Sequence, residues 1–499
     1  MGEVRVRASV VGLGYVGLVS AACLAEWGHE VVGIDADEGR LAALDEGQLP
    51  FFEPGLAELV AGVRSARRLR FAGPNPAAIG SAQVVFVAVG THDGNGGWQT
   101  GSIRRSLAEI VPHMADDSTL VIRSTLPPDF IQSLPWLVSA LRRKAGRREI
   151  PVLTNPEFTR EGSAIRDYME PDRIVMGIGF DPHGRGESML RKIYRRASAP
   201  ILVMNAADAA LTKIGANLFL ATKISFANEL AQLCETYGAD VDRVVAGMAY
   251  DPRIGPSFLR AGVGFGGSCL PHQVSMTVRE ASAVGLSVPL LAAVEEVNTR
   301  QRETFVERLW RASGARSGAR IALLGLTFKP DTDDLREAPS LDIARALIER
   351  DAVVVAYDPM PRARVTAAAT VAGLAVVDSA TMALVDADAA GLVTEWREFA
   401  LLDWEALGRL MRRRVVVDGR NALSPEAMRA AGFAYSAFGR EGTLIAVDVG
   451  QPAGPAPLAE LAEDGPVLRP ALAFDAEAAD TLRDVSVAAS MFDREASSA

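Results

Sequence analysis

Apolar and polar positions along this chain fall into two rhythms. Through the first part, short apolar runs alternate with stretches of helical period. The runs are "RASVVG" at 7–12, "EVVGID" at 30–35, "AQVVFVAVG" at 82–90, "STLVIRST" at 118–125 and "IPVLTN" at 150–155. Their alternation with helices predicts a parallel sheet covered on both faces. After "ILVMN" at 201–205 the rhythm changes. Residues 205–238 hold no proline, and Gly215 is the only glycine before Gly238. Asn205 or Asp208 is a candidate cap, and Gly238 a candidate stop, for one long helix. That helix is apolar over too much of its surface to face water alone, so it should pack on other helices or on its own copy.

A second α/β rhythm opens at "ARIALLGLTFKP" (319–330). It continues through "DAVVVAYDP" (351–359), "DADAAGLVTEW" (386–396) and "RRVVVDGRN" (413–421). The expected fold is α/β, with two Rossmann-like doubly wound domains bridged by a central helical region. The expected boundaries are 1–204, 205–310 and 311–445. Residues 446–499, rich in Ala, Pro and Asp, read as a mobile tail with at most a short helix.

Composition narrows the function classes. The chain has 499 residues, 49% hydrophobic and 23% charged, with a net charge of −10. This is ordinary globular composition, and the negative balance argues against nucleic acid and anionic membranes as partners. No apolar run is long enough to span a membrane, and the first residues lack the order of a signal peptide. Cys23, Cys234 and Cys269 are widely separated, which argues against a disulfide framework, and no Cys/His spacing suits zinc or another metal. A reducing cytoplasm is the expected setting.

Gly12, Gly14 and Gly17 have G-x-G-x-x-G spacing between a strand pattern and a helix pattern. Gly12 permits a tight turn, Gly14 lets a pyrophosphate approach the backbone, and Gly17 allows close helix–strand packing. The helix N-terminus offers free N–H groups to phosphate. Asp35, ending the next strand, can accept from both ribose hydroxyls and repels a 2′-phosphate, which favours NAD over NADP. A second stretch, "GFGGSCLPHQ" at 264–273, sets Cys269 in a glycine-rich approach. Such a cysteine is either a nucleophile or a small buried residue, the reading given to Cys23 and Cys234.

The motifs "GLGYVGL" (12–18), "NPEFTREGSAI" (155–165), the Lys213–Asn217 helix, "DPRIGPSFLRAGVGFGGSC" (251–269) and "LGLTFKPDTDDLREAPS" (324–340) occur in this order. In them the chain resembles the UDP-glucose/GDP-mannose dehydrogenase family over about residues 4–445, closest to its UDP-glucose branch. The resemblance implies oxidation of a nucleotide-sugar CH₂OH to a carboxylate with two NAD, through a thiohemiacetal and a thioester on Cys269. It implies that Lys213 and Asn217, at i and i+4, stabilise negative oxygen. Glu161 would serve the hydrolytic water, with Thr125 holding it. By residue type alone, Lys213 could instead snorkel from a helix bundle, Glu157 could cap a short helix, and Thr125 could be a turn residue.

The same resemblance extends the cofactor set from the glycines and Asp35 to Tyr15, Val16, Arg40, Gly90, Thr91, Ser124, Thr125 and Arg336. It extends the substrate set to Glu157, Phe158, Lys213, Asn217, Arg253, Phe258, Leu259, Arg260, Phe265, Gly266, Phe328, Lys329 and Arg420. The arginines can hold phosphate or sugar hydroxyls, and N–H groups of the glycine-rich stretch can reach pyrophosphate. Arg253 is implied to reach a neighbouring subunit's site, in a homodimer or higher oligomer.

Two departures stand out. The family's usual Lys-Asp is His272-Gln273 here, and glutamine can neither take a proton nor offset the charge of Lys213. His272 could transfer a proton or merely fill the lysine's space. His92 replaces a usual proline, ahead of the loop "DGNGGW" and Trp98, which could stack on a ring or anchor the loop. The expected activity is UDP-glucose to UDP-glucuronate. The alternatives are another sugar nucleotide, an enzyme that stops at the aldehyde, or a non-catalytic nucleotide-sugar-binding protein.

Overall fold

A computed structural model describes residues 5–91 and 98–440 of the chain. The expected tail lies outside the described residues, as does the loop 92–97 with His92. The described residues form two sheets. Strands β1 (Arg7–Val11), β2 (Glu30–Ile34), β3 (Leu69–Ala72), β4 (Val84–Val87), β5 (Thr119–Ile122), β6 (Val152–Thr154), β7 (Ile174–Phe180) and β8 (Ile201–Asn205) make the first. Its order is β3-β2-β1-β4-β5-β6-β7-β8. All neighbours are parallel except β6 and β7. The first six strands follow the doubly wound order, whose ligand crevice lies where the order reverses, beside β1 and β4.

Strands β9 (Arg320–Leu324), β10 (Val353–Tyr357), β11 (Ala375–Val376), β12 (Ala389–Leu392), β13 (Val415–Asp418) and β14 (Ala434–Ala437) make the second sheet. Its order, β11-β10-β9-β12-β13-β14, repeats the same winding. The apolar runs read as strands are β1, β2, β4, β5, β6, β9, β10, β12 and β13. They are central and almost wholly buried, as parallel strands covered by helices should be. The periodicity did not mark β3, β11 or β14, which are short or lie at sheet edges. It also missed β7, where a glycine pair interrupts the apolar run.

The long helix runs from Ala206 to Tyr237. Asn205 Oδ1 accepts the Asp208 N–H at 2.8 Å, and Gly238 ends the helix in the left-handed region at φ +67°. Asn205, not Asp208, is therefore the cap, and the expected stop holds. Its buried stripe is made of small or polar residues, among them Ala206, Ala210, Lys213, Asn217, Ala221, Ser225 and Asn228. Short side chains let it lie close to β7 and to helices Pro128–Lys144, Leu270–Ala283 and Pro289–Ala312. The contact with β7 is tightest at Gly177, where a Cβ would lie 2.2 Å from Thr154 Oγ1 and 2.6 Å from the Ala209 Cβ. Gly177→Ala should therefore lower stability by about 1–3 kcal/mol, the usual effect of overpacking, read as a fall in the urea midpoint. An unchanged midpoint would show that the helix can move off the sheet at little cost.

Candidate active site

The glycine triplet has the geometry its spacing called for. Gly12 sits at φ +91°, and a Cβ there would meet the Ala88 carbonyl oxygen at 2.8 Å. A Cβ at Gly17 would lie 1.8 Å from the Gly12 carbonyl oxygen, whereas one at Gly14 would meet nothing within 4 Å. Gly12 and Gly17 thus close the turn, and Gly14 leaves an open face. Helix Tyr15–Glu26 starts there, with first-turn N–H groups that have no partner inside the helix. Asp35, buried at the end of β2, accepts the Leu13 N–H at 2.7 Å and Arg40 Nη1 at 2.8 Å through Oδ2. Its Oδ1 accepts the Asp37 N–H at 3.0 Å. With about four lone-pair sites, the carboxylate keeps acceptor capacity for a ribose. Across the crevice, exposed Gly90 and buried Thr91 follow β4, while Ser124 and Thr125 follow β5. Ser124 Oγ ties the two loops by donating to the Val89 carbonyl at 2.7 Å.

Cys269 caps helix Leu270–Ala283. The residue is exposed, while the protein packed around its sulfur pushes the thiol up; Lys213 pulls it down, and Glu157 and Glu161 push it further up. Ser268 Oγ lies 3.8 Å from Sγ. Lys213, buried on the long helix, pairs with Glu157 at 3.1 Å and lies 5.4 Å from the Phe158 ring centre. Asn217 follows one turn later, also buried. Lys213 therefore does not snorkel. Burial alone would raise the Glu157 carboxyl, but Lys213 and the Thr159 N–H and O–H hold it below the usual carboxylate range. No helix begins until Ala164, so Glu157 does not cap one. Ser124, Thr125, Thr154 and Lys213 line one small pocket.

Glu161 has a different environment. Thr332 Oγ1 donates to its Oε2 at 3.0 Å, and Arg336 Nη2 to its Oε1 at 3.3 Å. Burial and the nearby Asp334 carboxylate push its pKa up to about 7, against the opposing pull of Arg336, Thr332 and Lys329. Lys329 Nζ donates to the Glu161 backbone carbonyl. Arg336, expected near the cofactor, is engaged by Glu161 and Asp334.

The glycine-rich approach to Cys269 does something the sequence did not indicate. Gly262 N–H goes to Asn228 Oδ1 at 2.8 Å, and Phe265 N–H to Asn298 Oδ1 at 2.8 Å. Val263 N–H goes to the Gly419 carbonyl and Gly267 N–H to that of Arg336. These four donors are used within the protein. The glycines serve close packing: Cβ atoms at Gly262, Gly266 and Gly267 would lie 2.6 Å from the Gly419 carbonyl, 2.4 Å from that of Glu337 and 2.8 Å from the Phe328 ring. Leu259 and Phe265 are buried, whereas Arg253, Phe258 and Arg260 are exposed, and Phe258 takes φ +63°. Arg420 donates to the carbonyls of Val393, Gly264 and Phe328 at 2.7, 3.0 and 3.1 Å. It fastens the seam from the second sheet. Gln273, buried on the helix that follows Cys269, has an Oε1 with no partner among the described residues.

Sequence reasoning missed Glu53, Thr332 and Asp334. Glu53 precedes Pro54-Gly55 and looks like a turn residue; the other two sit in "KPDTDD", whose acidic run resembles a solvated loop. Only the folded chain shows that they surround Tyr15 and Glu161.

A doubly wound fold with an open glycine turn, beside a group made of a cysteine, a buried lysine and two buried glutamates, defines the class of nucleotide-dependent dehydrogenases. Comparisons with known proteins agree on the class. Models of the UDP-glucose/GDP-mannose dehydrogenase family match its NAD binding domain at residues 6–198, its central domain at 207–300 and its UDP binding domain at 322–425. The UDP-glucose 6-dehydrogenase of Pseudomonas aeruginosa is 40% identical over 87% of this chain and 97% of its own length. UDP-glucose 6-dehydrogenase TuaD of Bacillus subtilis is 38% identical over 87% and 93%. A UDP-glucose dehydrogenase structure from Pyrobaculum islandicum, 35% identical, superposes with a TM-score of 0.80 over 88% of this chain and 99% of that one. The chain belongs to the UDP-glucose/GDP-mannose dehydrogenase family and is an NAD-dependent oxidoreductase.

The loop geometry separates two glycine substitutions. Gly14→Ala should fold with an unchanged melting temperature yet bind NAD at least about tenfold more weakly, because its methyl stands where pyrophosphate approaches. Gly17→Ala should instead lower the melting temperature, since its Cβ meets backbone. Thermal melts with and without NAD check both; equal effects would remove the distinction.

Proposed function

We propose that the chain oxidises the C6 alcohol of UDP-glucose to the carboxylate in two steps through a covalent adduct on Cys269. The observation that carries this reading is the grouping of Cys269 with the Lys213–Glu157 pair and with Glu161, whose carboxyl has a pKa of about 7. The glycine loop and Asp35 would hold NAD, which would supply the hydride acceptor for each oxidation. After the first, the Cys269 thiolate adds to the aldehyde carbon, and the new alkoxide lies against Lys213 and Asn217. After the second, the sugar is a thioester. Glu161 takes a proton from water held by Thr125, the water oxygen bonds to the acyl carbon, and the C–S bond breaks with sulfur leaving as thiolate. Glu157 supplies the negative charge beside Lys213, so a neutral Gln273 leaves the ammonium balanced.

In this reading residues 1–204 hold the cofactor, 205–310 carry the thiol and lysine, and 311–445 hold the nucleotide. Arg260, Phe265, Phe328, Lys329 and Arg420 border the sugar-nucleotide side. The long helix supports a homodimer: Leu211, Phe219, Phe226 and Leu233 are exposed at heptad-like spacing on one face. The exposed Arg253, held by Asp251, would then reach the partner's cleft.

Two NADH per UDP-glucose, with UDP-glucuronate identified by mass, is the expected result; one NADH with free aldehyde would mean hydrolysis fails. Cys269→Ser should form no uronate, and full uronate production would sink the covalent path. Glu161 acts as a base only when deprotonated. The hydrolysis rate should therefore rise with pH, reach half its maximum near the carboxyl's pKa of about 7, and level off above it. Glu161→Gln should remove that limb and leave acylated Cys269, whereas an unchanged profile would move the base elsewhere.

A further inference from the structure

Glu53 is a buried carboxylate between the cofactor loop and the loop that carries Glu161. Its Oε2 accepts the Tyr15 hydroxyl and the Gly162 N–H at 2.7 Å. Its Oε1 accepts the Ala164 N–H at 2.7 Å. Tyr15 is the first residue of the helix that opens on the glycine loop, and its ring lies 4.7 Å from that of Phe51. Gly162 directly follows Glu161. The neighbouring Phe52 N–H donates to Asp333 Oδ1 at 3.0 Å, which ties the same segment to the loop bearing Thr332 and Asp334.

A solvated turn glutamate would need none of these partners. A buried carboxylate that accepts three donors from two separate loops fixes the spacing between them, because every lost partner leaves a buried polar group unpaired. We propose that Glu53 is a positioning residue that holds the cofactor loop and the Glu161 loop in register, so that ordering of the first by NAD orders the second. Its catalytic consequence rests on the function proposed above, but the coupling itself does not.

Glutamine has a single acceptor oxygen, and its amide group would face an N–H or hydroxyl donor. Glu53→Gln must therefore leave the N–H of either Ala164 or Gly162 without its acceptor, whereas the Tyr15 hydroxyl can turn and accept from the amide. The test is hydrogen–deuterium exchange on the full chain with NAD alone. In the unaltered protein NAD should slow exchange both at residues 12–18 and at residues 160–165. In Glu53→Gln it should still protect 12–18 but no longer 160–165. Retained protection at 160–165 in the variant, or none there in the unaltered protein, overturns the proposal. If Glu53→Gln does not fold, Tyr15→Phe removes one donor and keeps the ring on Phe51. It should weaken the same protection, and an unchanged pattern overturns the proposal equally.

With UDP-glucose added, Glu53→Gln should keep a first burst of NADH while steady turnover falls by up to about a hundredfold, the scale of a small misplacement of a reacting group. The intact chain should then carry a sugar acyl mass on Cys269. Turnover equal to the unaltered protein's would overturn Glu53 as a positioning residue. No NADH from the unaltered chain would instead overturn the functional reading, and the exchange result would still decide the coupling.

Discussion

Between Gly262 and Gly267 the backbone runs against the Gly419 and Glu337 carbonyls and the Phe328 ring at distances that admit no Cβ, and the rest of the site follows from that contact. Asn228 of the long helix and Asn298 of helix Pro289–Ala312 hold the segment from one side. Arg420 holds it from the other through three carbonyls. The segment ends at Cys269, so the thiol's place is set by elements drawn from the central helices and the second sheet together. A side chain at any of these glycines would push the second sheet away and carry Phe328, Lys329 and Thr332 with it.

That seam brings the loop after β9 against Glu161, and this contact separates two carboxylates only four residues apart. Glu157 faces Lys213 and the Thr159 donors and stays charged. Glu161 is buried beside Asp334, and the cations around it offset only part of the cost of charging it. One glutamate is thus a fixed counter-charge, and the other has its pKa raised to about 7. The difference comes from partners supplied by different parts of the chain.

The two sheets use one device with opposite outcomes. In the first, Gly12 turns the chain and Asp35 accepts the Leu13 N–H at 2.7 Å. In the second, Gly325 takes φ +94°, and Asp358 accepts the Leu326 N–H at 2.7 Å. Asp358 Oδ2, however, also takes the Thr327 N–H and hydroxyl and the Trp396 indole N–H, while its Oδ1 takes the Met360 N–H. It is fully buried, with five donors shared between its two oxygens. Asp35 retains acceptor capacity beside an open Gly14. The same strand–turn–carboxylate geometry is therefore left open in the sheet of the matched NAD binding domain and closed into a structural clasp in the other.

This contrast also explains what could be read from the sequence. The glycine triplet, Asp35, the capped long helix and Cys269 are local patterns, each with its physical reason within about thirty residues, roughly one βαβ unit. Lys213 and Glu157 were legible only as members of motifs, since nothing near either announces the other. Glu53 and Thr332 were invisible as site residues because their meaning lies in bonds across 109 and 171 positions, to Gly162 and Glu161. The glycines of 262–267 were legible as unusual, but the close packing they allow was not. A glycine that admits phosphate and one that admits another backbone look the same in sequence, and only the neighbour that fills the missing Cβ distinguishes them. By that criterion Gly14, whose Cβ would meet nothing within 4 Å, is open to a ligand. At Gly262, Gly266 and Gly267 the protein itself fills the space that a Cβ would take.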